Sequence, residues 1–339
     1  MGSNVESAFD WTRKSVLVTG AGGFIGSHLV ERLVERSAHV RAFVRYNARG
    51  DQGWLEDTPA HLRREIDVFA GDVSEYHSLR RAMQGIEVVF HLAALIGIPY
   101  SYASPAAYVR TNVVGTLNAL QAACDMGVAK FVHTSTSEVY GTARYVPIDE
   151  SHPLQAQSPY SATKIGADAL AYSFHCAFGL PVAIIRPFNT YGPRQSLRAV
   201  IPTILCQILD RRAVHLGARH PTRDFTYVSD TISGFLAVAE SPAAVGEVVN
   251  VGSGAEITIG ALAGLIAELV GCEAPVELED SRLRPPASEV ERLWANTAKA
   301  QELLGWRPVY ELRAGLLKTI DWFREHRSAY AANGGEYHV

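Results

Sequence analysis

Three observations predict an α/β chain built on a doubly wound parallel sheet with a smaller second domain. From Ser15 onward, short β-branched runs alternate with longer stretches of helical period. Most of those runs are apolar on successive positions, as strands buried on both faces must be. The first run ends in a glycine cluster that leads directly into a helical segment. The predicted strands are 15–19, 40–44, 67–70, 88–92, 131–134 and 182–186, six in all. After Pro187 the rhythm changes to shorter pieces punctuated by Pro and Gly, with later helices expected over 258–270 and 312–325 and a polar tail. No internal repeat or low-complexity linker is present, so the two parts are expected to share a compact interface with a ligand-holding cleft.

Composition narrows the function. The chain has 339 residues, 47% hydrophobic and 19% charged, enough for about two domains at roughly 150 residues each. A net charge of -4, a pI near 6.3 and scattered Lys and Arg residues argue against nucleic acid as a partner. The start, Met1 to Arg13, carries no apolar signal core, and no apolar run reaches the roughly 20 residues that cross a bilayer. A cytoplasmic protein with no membrane partner is expected. The four cysteines, Cys124, Cys176, Cys206 and Cys272, lie far apart in apolar contexts, so they read as buried thiols and no metal site is expected.

The glycine cluster is Gly20-Ala21-Gly22-Gly23-Phe24-Ile25-Gly26, followed by Ser27–Leu33 with helical period. Glycines there let the backbone turn sharply and bring helix N–H groups onto a pyrophosphate. A dinucleotide site at Gly20, Gly23, Phe24, Ile25 and Gly26 follows. An acid at the end of the second strand would bond the ribose hydroxyls, and an Arg would accept a 2′-phosphate. The sequence there is Val44-Arg45-Tyr46-Asn47, so Arg45 either selects NADP or is a surface arginine, and NAD+ versus NADP+ stays open.

Tyr160-Ser161-Ala162-Thr163-Lys164 opens a helical segment, so Tyr160 and Lys164 project from one face about a turn apart. An ammonium at Lys164 is expected to lower the Tyr160 pKa, making the phenol an acid/base near neutral pH. Thr136, at the end of the fifth strand, supplies a hydroxyl for the reacting oxygen.

Gly20–Gly26, His91-Leu92-Ala93-Ala94, Asn112, Tyr160–Lys164, Arg186-Pro187-Phe188-Asn189, Arg223-Asp224-Phe225 and Leu304-Gly305-Trp306 span nearly the whole chain. Together they resemble the extended short-chain dehydrogenase/reductases of the NAD-dependent epimerase/dehydratase family, which act on nucleotide sugars. The resemblance implies a Rossmann-like domain over 14–188 and 226–252, a nucleotide-sugar domain over 189–225 and 253–330, and a tail over 331–339. It also implies a homodimer; Ala162, Ala167, Ala169 and Ala171 leave small side chains on the helix of Tyr160, which suits either that close helix approach or a monomer core. Asp72 matches the position that holds adenine, its other reading being a helix cap, and Val73, Leu92, Ala93 and Ala94 join it at the cofactor. For the substrate the resemblance implies Asn189, Arg223 and Arg284 at the diphosphate or nucleotide. Arg198 is either a further contact or a surface arginine, and Tyr100 lines the sugar pocket or packs among apolar neighbours.

Within that family Ser135-Thr136-Ser137-Glu138-Val139-Tyr140-Gly141 is the informative stretch. Simple 4-epimerases of the family have no carboxylate where Glu138 stands, whereas a 4,6-dehydratase needs a base at C5. Ser137 stands where dTDP-glucose dehydratases carry Asp and GDP-mannose dehydratases carry Ser. The implied catalytic set is Thr136, Ser137, Glu138, Tyr160 and Lys164, acting with tightly bound NAD+ or NADP+ that is regenerated each turnover. Val40–Leu55, ending in Gly53-Trp54-Leu55, and Leu95-Ile96-Gly97-Ile98-Pro99-Tyr100 are similar to N-acetylglucosamine-nucleotide 4,6-dehydratases of legionaminic-type pathways. UDP-glucuronate decarboxylases also carry Thr-Ser-Glu and are the alternative reading, with a 4-epimerase next and a redox-sensing scaffold outside catalysis.

Overall fold

The computed structural model describes residues 9–210 and 212–331. Residues 1–8 and 332–339, which include part of the Met1 to Arg13 start and nearly all of the predicted tail, lie outside the described residues.

The sheet forms from β1 (Ser15–Thr19), β2 (His39–Arg45), β3 (Ile66–Gly71), β4 (Val88–His91), β5 (Lys130–Thr134), β6 (Val182–Pro187) and β7 (Val248–Val251). Its order is β7-β6-β5-β4-β1-β2-β3, with every neighbouring pair parallel. The expected six strands are present and a seventh, β7, extends the edge beyond β6. Alternate side chains of each strand enter opposite cores. Val16, Val18, Phe90, Val132 and Ile185 join one core, while Leu17, Val89, Phe131 and Ile184 join the other. That two-sided burial explains the unbroken apolar runs.

Helices α1 (Phe24–Glu35), α2 (Tyr76–Ala82), α3 (Gly115–Met126) and α4 (Pro159–Phe178) cover the sheet, with α6 (Val228–Glu240) beside α1. The second core takes buried residues of α2, α3 and α4. Leu29, Leu33, Phe235 and Leu236 of α1 and α6 fill the first. Beyond β6 lie α5 (Val200–Leu209), α7 (Ile259–Val270), α8 (Leu312–Glu325), α9 (Arg327–Ala331) and three two-stranded sheets. In one of these, Asn189–Tyr191 runs parallel to Phe225–Tyr227; in another, Thr222–Arg223 pairs antiparallel with Ile257–Thr258. Helix α7 starts one residue later than expected because extended Thr258 is its cap, its hydroxyl accepting from the Ala261 N–H at 3.1 Å.

One expectation is corrected. Cys176 is exposed and Cys124, Cys206 and Cys272 are only half-buried, because helical period alone does not say how deep a face lies. Ala167 and Ala171 are buried in the chain's own core, leaving Ala162 and Ala169 exposed on α4. Among the described residues no helix is long and apolar enough to cross a membrane.

Strand β7 is seated against Gly234 of α6, where a Cβ would lie 2.9 and 3.0 Å from the Val251 methyls. Replacing Gly234 by Leu overpacks that contact and is expected to cost about 1–3 kcal/mol, read as a lower urea midpoint.

Candidate active site

The sheet delivers the site at the carboxyl ends of its strands. Strand β1 turns at Gly20, whose φ of +69° suits glycine and whose Cβ would lie 2.9 Å from the Ala93 nitrogen. Gly26 lets α1 pack on that turn, since a Cβ there would sit 2.2 Å from the Gly20 carbonyl oxygen. Helix α1 begins after an extended Gly23 with no side-chain cap and no acid in its first turn. Its first N–H groups are therefore left without a side-chain cap beside a close-packed glycine turn, which fits a pyrophosphate. Phe24 and Ile25 are half-buried in that first turn.

A buried hydroxyl and imidazole chain fixes the other wall. Thr19 Oγ1 accepts from the Leu92 and Ala93 N–H groups, each at 3.1 Å, and lies 3.0 Å from His91 Nδ1. The other His91 nitrogen lies 3.2 Å from Thr116 Oγ1, which donates to the Asn112 carbonyl at 2.6 Å. Thr116 is thus an acceptor for His91 Nε2–H, and Thr19 donates to Nδ1. Burial drives the His91 pKa well down, so the ring is neutral. Asn112, in a π turn at Val109–Val114, clamps Leu95 through both its amide atoms and donates to Thr163 Oγ1 of α4 at 3.0 Å. Ala94 lies between the clamped residues and, like Leu92, is half-buried.

At the far end, Arg45 is exposed at the tip of β2, in register with Gly71. Asp72 follows and is also exposed; its Oδ1 accepts from the Ser74 N–H and hydroxyl, each at 2.8 Å. Burial opposes its ionisation, but the Ser74 bonds, then the Arg45 and Arg110 charges, hold its pKa below the ordinary value. Val73 is buried against Gly115.

The catalytic candidates converge after β5. Ser158 caps α4 in a reciprocal capping box with Ser161, setting the register that turns Tyr160, Lys164 and Asp168 to one face. All three are buried. Thr136 caps a short 3-10 turn at Ser137–Tyr140, its hydroxyl accepting from the Glu138 N–H at 3.2 Å. That hydroxyl also acts on the Tyr160 phenol, favouring its ionised form. Ser137 and Glu138 are buried in the turn, and the Glu138 charge is felt at both Tyr160 and Arg223.

Lys164 departs from expectation. Its Nζ donates to the Thr134 carbonyl at 2.6 Å, and burial pushes its pKa down to about 8 while Asp168 resists. Tyr160 is pushed up, first by burial and then by the Glu138 and Tyr108 charges, with Thr136 acting the other way. In the free chain the phenol is therefore neutral, and burial outweighs the ammonium that the sequence reading credits with lowering its pKa.

Beneath them sits a network that sequence reasoning missed. Asp168 Oδ2 accepts from the Ser135 hydroxyl at 2.7 Å and from Arg186 Nη2 and Nε at 2.9 and 3.2 Å. Arg186 also donates to the Tyr140 hydroxyl at 3.0 Å, which donates to Asn250 of β7 at 2.7 Å. The spacing i, i+4, i+8 from Tyr160 was the available signal for Asp168.

The substrate candidates ring the mouth. Asn189 is half-buried, and its amide oxygen is buried with no protein partner. Arg223 is buried and Arg284 half-buried, and both reach Glu289 Oε1, at 3.3 and 3.5 Å. Tyr100, half-exposed, has its ring 6.1 Å from Tyr108, whose ring stands edge-on 6.3 Å from Tyr160. Arg198 is exposed, and its charge lowers the Tyr108 pKa against the burial that raises it. Tyr108 and Glu289 were not foreseen, because nothing local marks either.

Known proteins share this frame. Residues 17–319 match the family described as GDP-mannose 4,6-dehydratase. The dTDP-glucose 4,6-dehydratase of Streptomyces antibioticus is 34% identical over 324 residues, covering 93% of each chain. The crystal structure of DesIV, a dTDP-glucose 4,6-dehydratase from Streptomyces venezuelae solved with NAD bound, is 31% identical with a TM-score of 0.84, over 93% of this chain and 98% of that one. The UDP-glucuronic acid 4-epimerase of Bacillus cereus, in complex with UDP-glucuronic acid and NAD, is 30% identical with a TM-score of 0.83, over 92% and 99%.

Replacing Asp168 by Ala leaves Arg186 buried without its carboxylate. A loss of about 3–5 kcal/mol is expected in urea unfolding.

Proposed function

This chain belongs to the NAD-dependent epimerase/dehydratase family of extended short-chain dehydrogenase/reductases, and we propose that within it the chain is a nucleotide-sugar 4,6-dehydratase acting on an NDP-N-acetylglucosamine. That it is a nucleotide-sugar dehydratase or epimerase follows from the relatives; the choice between them rests on Glu138. A buried carboxylate whose charge is felt at Tyr160 has no task in simple epimerisation at C4, and it is the base that elimination requires. The same carboxylate serves the decarboxylase alternative, and the N-acetylglucosamine assignment rests on the resemblance of the segments around Gly53-Trp54-Leu55 and Leu95–Tyr100.

The resident cofactor is proposed to be NAD, held on the α1 N-terminus and the Leu92–Ala94 wall, with Asp72 at the adenosine end. Bound there, NAD would supply a hydride acceptor for C4 and a hydride donor for C6. Tyr160, neutral in the free chain, must first lose its own proton; as phenolate it takes the proton of the C4 hydroxyl and later releases it to solvent, while Thr136 bonds the same oxygen. With C4 a ketone, the C5–H bond is acidic; Glu138 takes that proton, the C6–O bond breaks, and Glu138 protonates the departing hydroxyl to give water. Ser137 lacks the acidity for that transfer, so Glu138 performs both. With C6 reduced in its turn, C5 takes a proton from solvent. The sugar loses one water overall and the cofactor ends as it began. Burial of Tyr160 and Lys164 keeps water from the reactive intermediate. Asn189, Arg223, Arg284 and Arg198 are proposed to take the diphosphate side, with Tyr100 at the sugar. A second copy of the chain is proposed to cover Leu117 of α3 and Tyr172 of α4, which are exposed.

The deciding experiment is mass spectrometry after incubation in D2O with UDP- and GDP-N-acetylglucosamine and UDP-glucuronate, without added cofactor. Loss of one water with one deuterium at C5 is expected from one of the first two. Loss of CO2 from the glucuronate would overturn the assignment in favour of decarboxylation, and epimerisation without water loss would do so in favour of a 4-epimerase. Glu138→Gln is expected to abolish water loss while absorbance at 340 nm still rises on substrate addition. Lys164 is charged below about pH 8 and neutral above it, so turnover is expected to fall as pH rises through about 8.

A further inference from the structure

The Gly53-Trp54-Leu55 segment has no task in the reaction above, yet it lies directly on the glycine-rich turn. The Trp54 N–H donates to the Gly22 carbonyl at 3.0 Å. A Cβ on Gly22 would lie 2.4 Å from the Gln52 carbonyl oxygen, and one on Gly53 would lie 2.4 Å from the Gly22 oxygen. Backbone thus meets backbone with no room for a side chain, and Gly53 takes a φ of +64° to achieve it.

The loop is stiff at its base and tied down at its tip. Asn47 donates to the Arg45 and Asp51 carbonyls and accepts from the Arg49 and Asp51 N–H groups. Asp51 accepts from the Gly53 N–H at 2.6 Å, and Leu55 is buried in the core. The Trp54 ring packs edge-on against Trp322 of α8, centroids 5.7 Å apart, and against Tyr330 of α9 at 6.0 Å. Tyr330 donates to the Gln195 carbonyl at 3.0 Å, and Gln195 donates to the Thr190 carbonyl at 2.8 Å, beside Asn189. One indole therefore connects the dinucleotide turn to the C-terminal helices and, through Tyr330, to the strand at the substrate mouth.

We propose that this loop is a clasp that holds the glycine-rich turn closed, with Trp54 as a positioning residue that sets how slowly the dinucleotide leaves. The inference rests on the reading of that turn as a dinucleotide site. A turn made of glycines has few side-chain anchors of its own, so its N–H groups keep their aim only while something outside holds it. An enzyme that restores its cofactor in each cycle gains from such retention, because a cofactor lost in mid-cycle leaves an oxidised or dehydrated sugar behind.

The test loads the full-length chain with NADH and follows the fall of its bound fluorescence when excess NAD+ is added. Trp54→Ala and Trp322→Ala are each expected to release NADH about ten-fold faster than the unaltered chain, since each removes an aromatic contact of the latch. Trp54→Phe, which keeps an aromatic ring, is expected to restore most of the retention. Trp322→Ala decides the matter, because Trp322 is linked to the turn through Trp54. Release from both alanine variants at the unaltered rate would overturn the clasp while leaving the dinucleotide site in place. A chain that takes up neither NADH nor NADPH would overturn both.

Discussion

The Asp168 carboxylate is the tie on which the site depends. It joins α4 to the ends of β5 and β6 by accepting from Ser135 and Arg186 within a buried, water-poor layer. Because Ser135 is spent on that bond, Thr136 is the hydroxyl left to meet Tyr160. Because Asp168 is fixed, the helix can neither rotate nor slide, and Tyr160 and Lys164, two turns and one turn earlier, hold their depth. Burying two charges is costly, and the return is registry more than stability. The Lys164 charge, pressed down by burial, is supported from the same carboxylate.

Much of the fold was legible because its signals are local. Strands buried on both faces read as unbroken apolar runs, and the glycine turn between β1 and α1 is contiguous in sequence. Strand β7 was not counted because Val-Val-Asn-Val is four residues long, carries a polar residue and follows a long excursion from β6. Its Asn250 is polar for a reason visible only in three dimensions, since it accepts from Tyr140 and donates to the Ile148 carbonyl. The half-buried cysteines were misjudged because apolar neighbours do not report the thickness of the layer above them.

The site divides the same way. Thr136, Ser137, Glu138, Tyr160 and Lys164 fall in two short motifs, so residue type and spacing sufficed to bring them together. Glu289, 66 positions from Arg223, and Tyr108, 52 before Tyr160, have no local signature. Their roles come from tertiary contact. The π turn that aims Asn112 was equally hidden, since nothing in Val-Arg-Thr-Asn-Val-Val distinguishes it from ordinary helix. The phenol pKa shows the complementary failure: the motif brings Tyr160 and Lys164 onto one buried face, but the balance between burial and charge is set by the whole enclosure.

Glu289 carries a consequence for selectivity at the mouth. Two guanidiniums share one carboxylate, so the trio carries a net charge of about +1 instead of +2. An incoming anion therefore does not fall into a bare electropositive hole; it must compete with a tethered internal rival. On the proposed reading, in which a diphosphate binds these arginines, a singly charged ion such as chloride would offer them little that Glu289 does not already provide, while a diphosphate would engage both at once. Glu289 would then be an ionic placeholder, and binding an exchange of one anion for another.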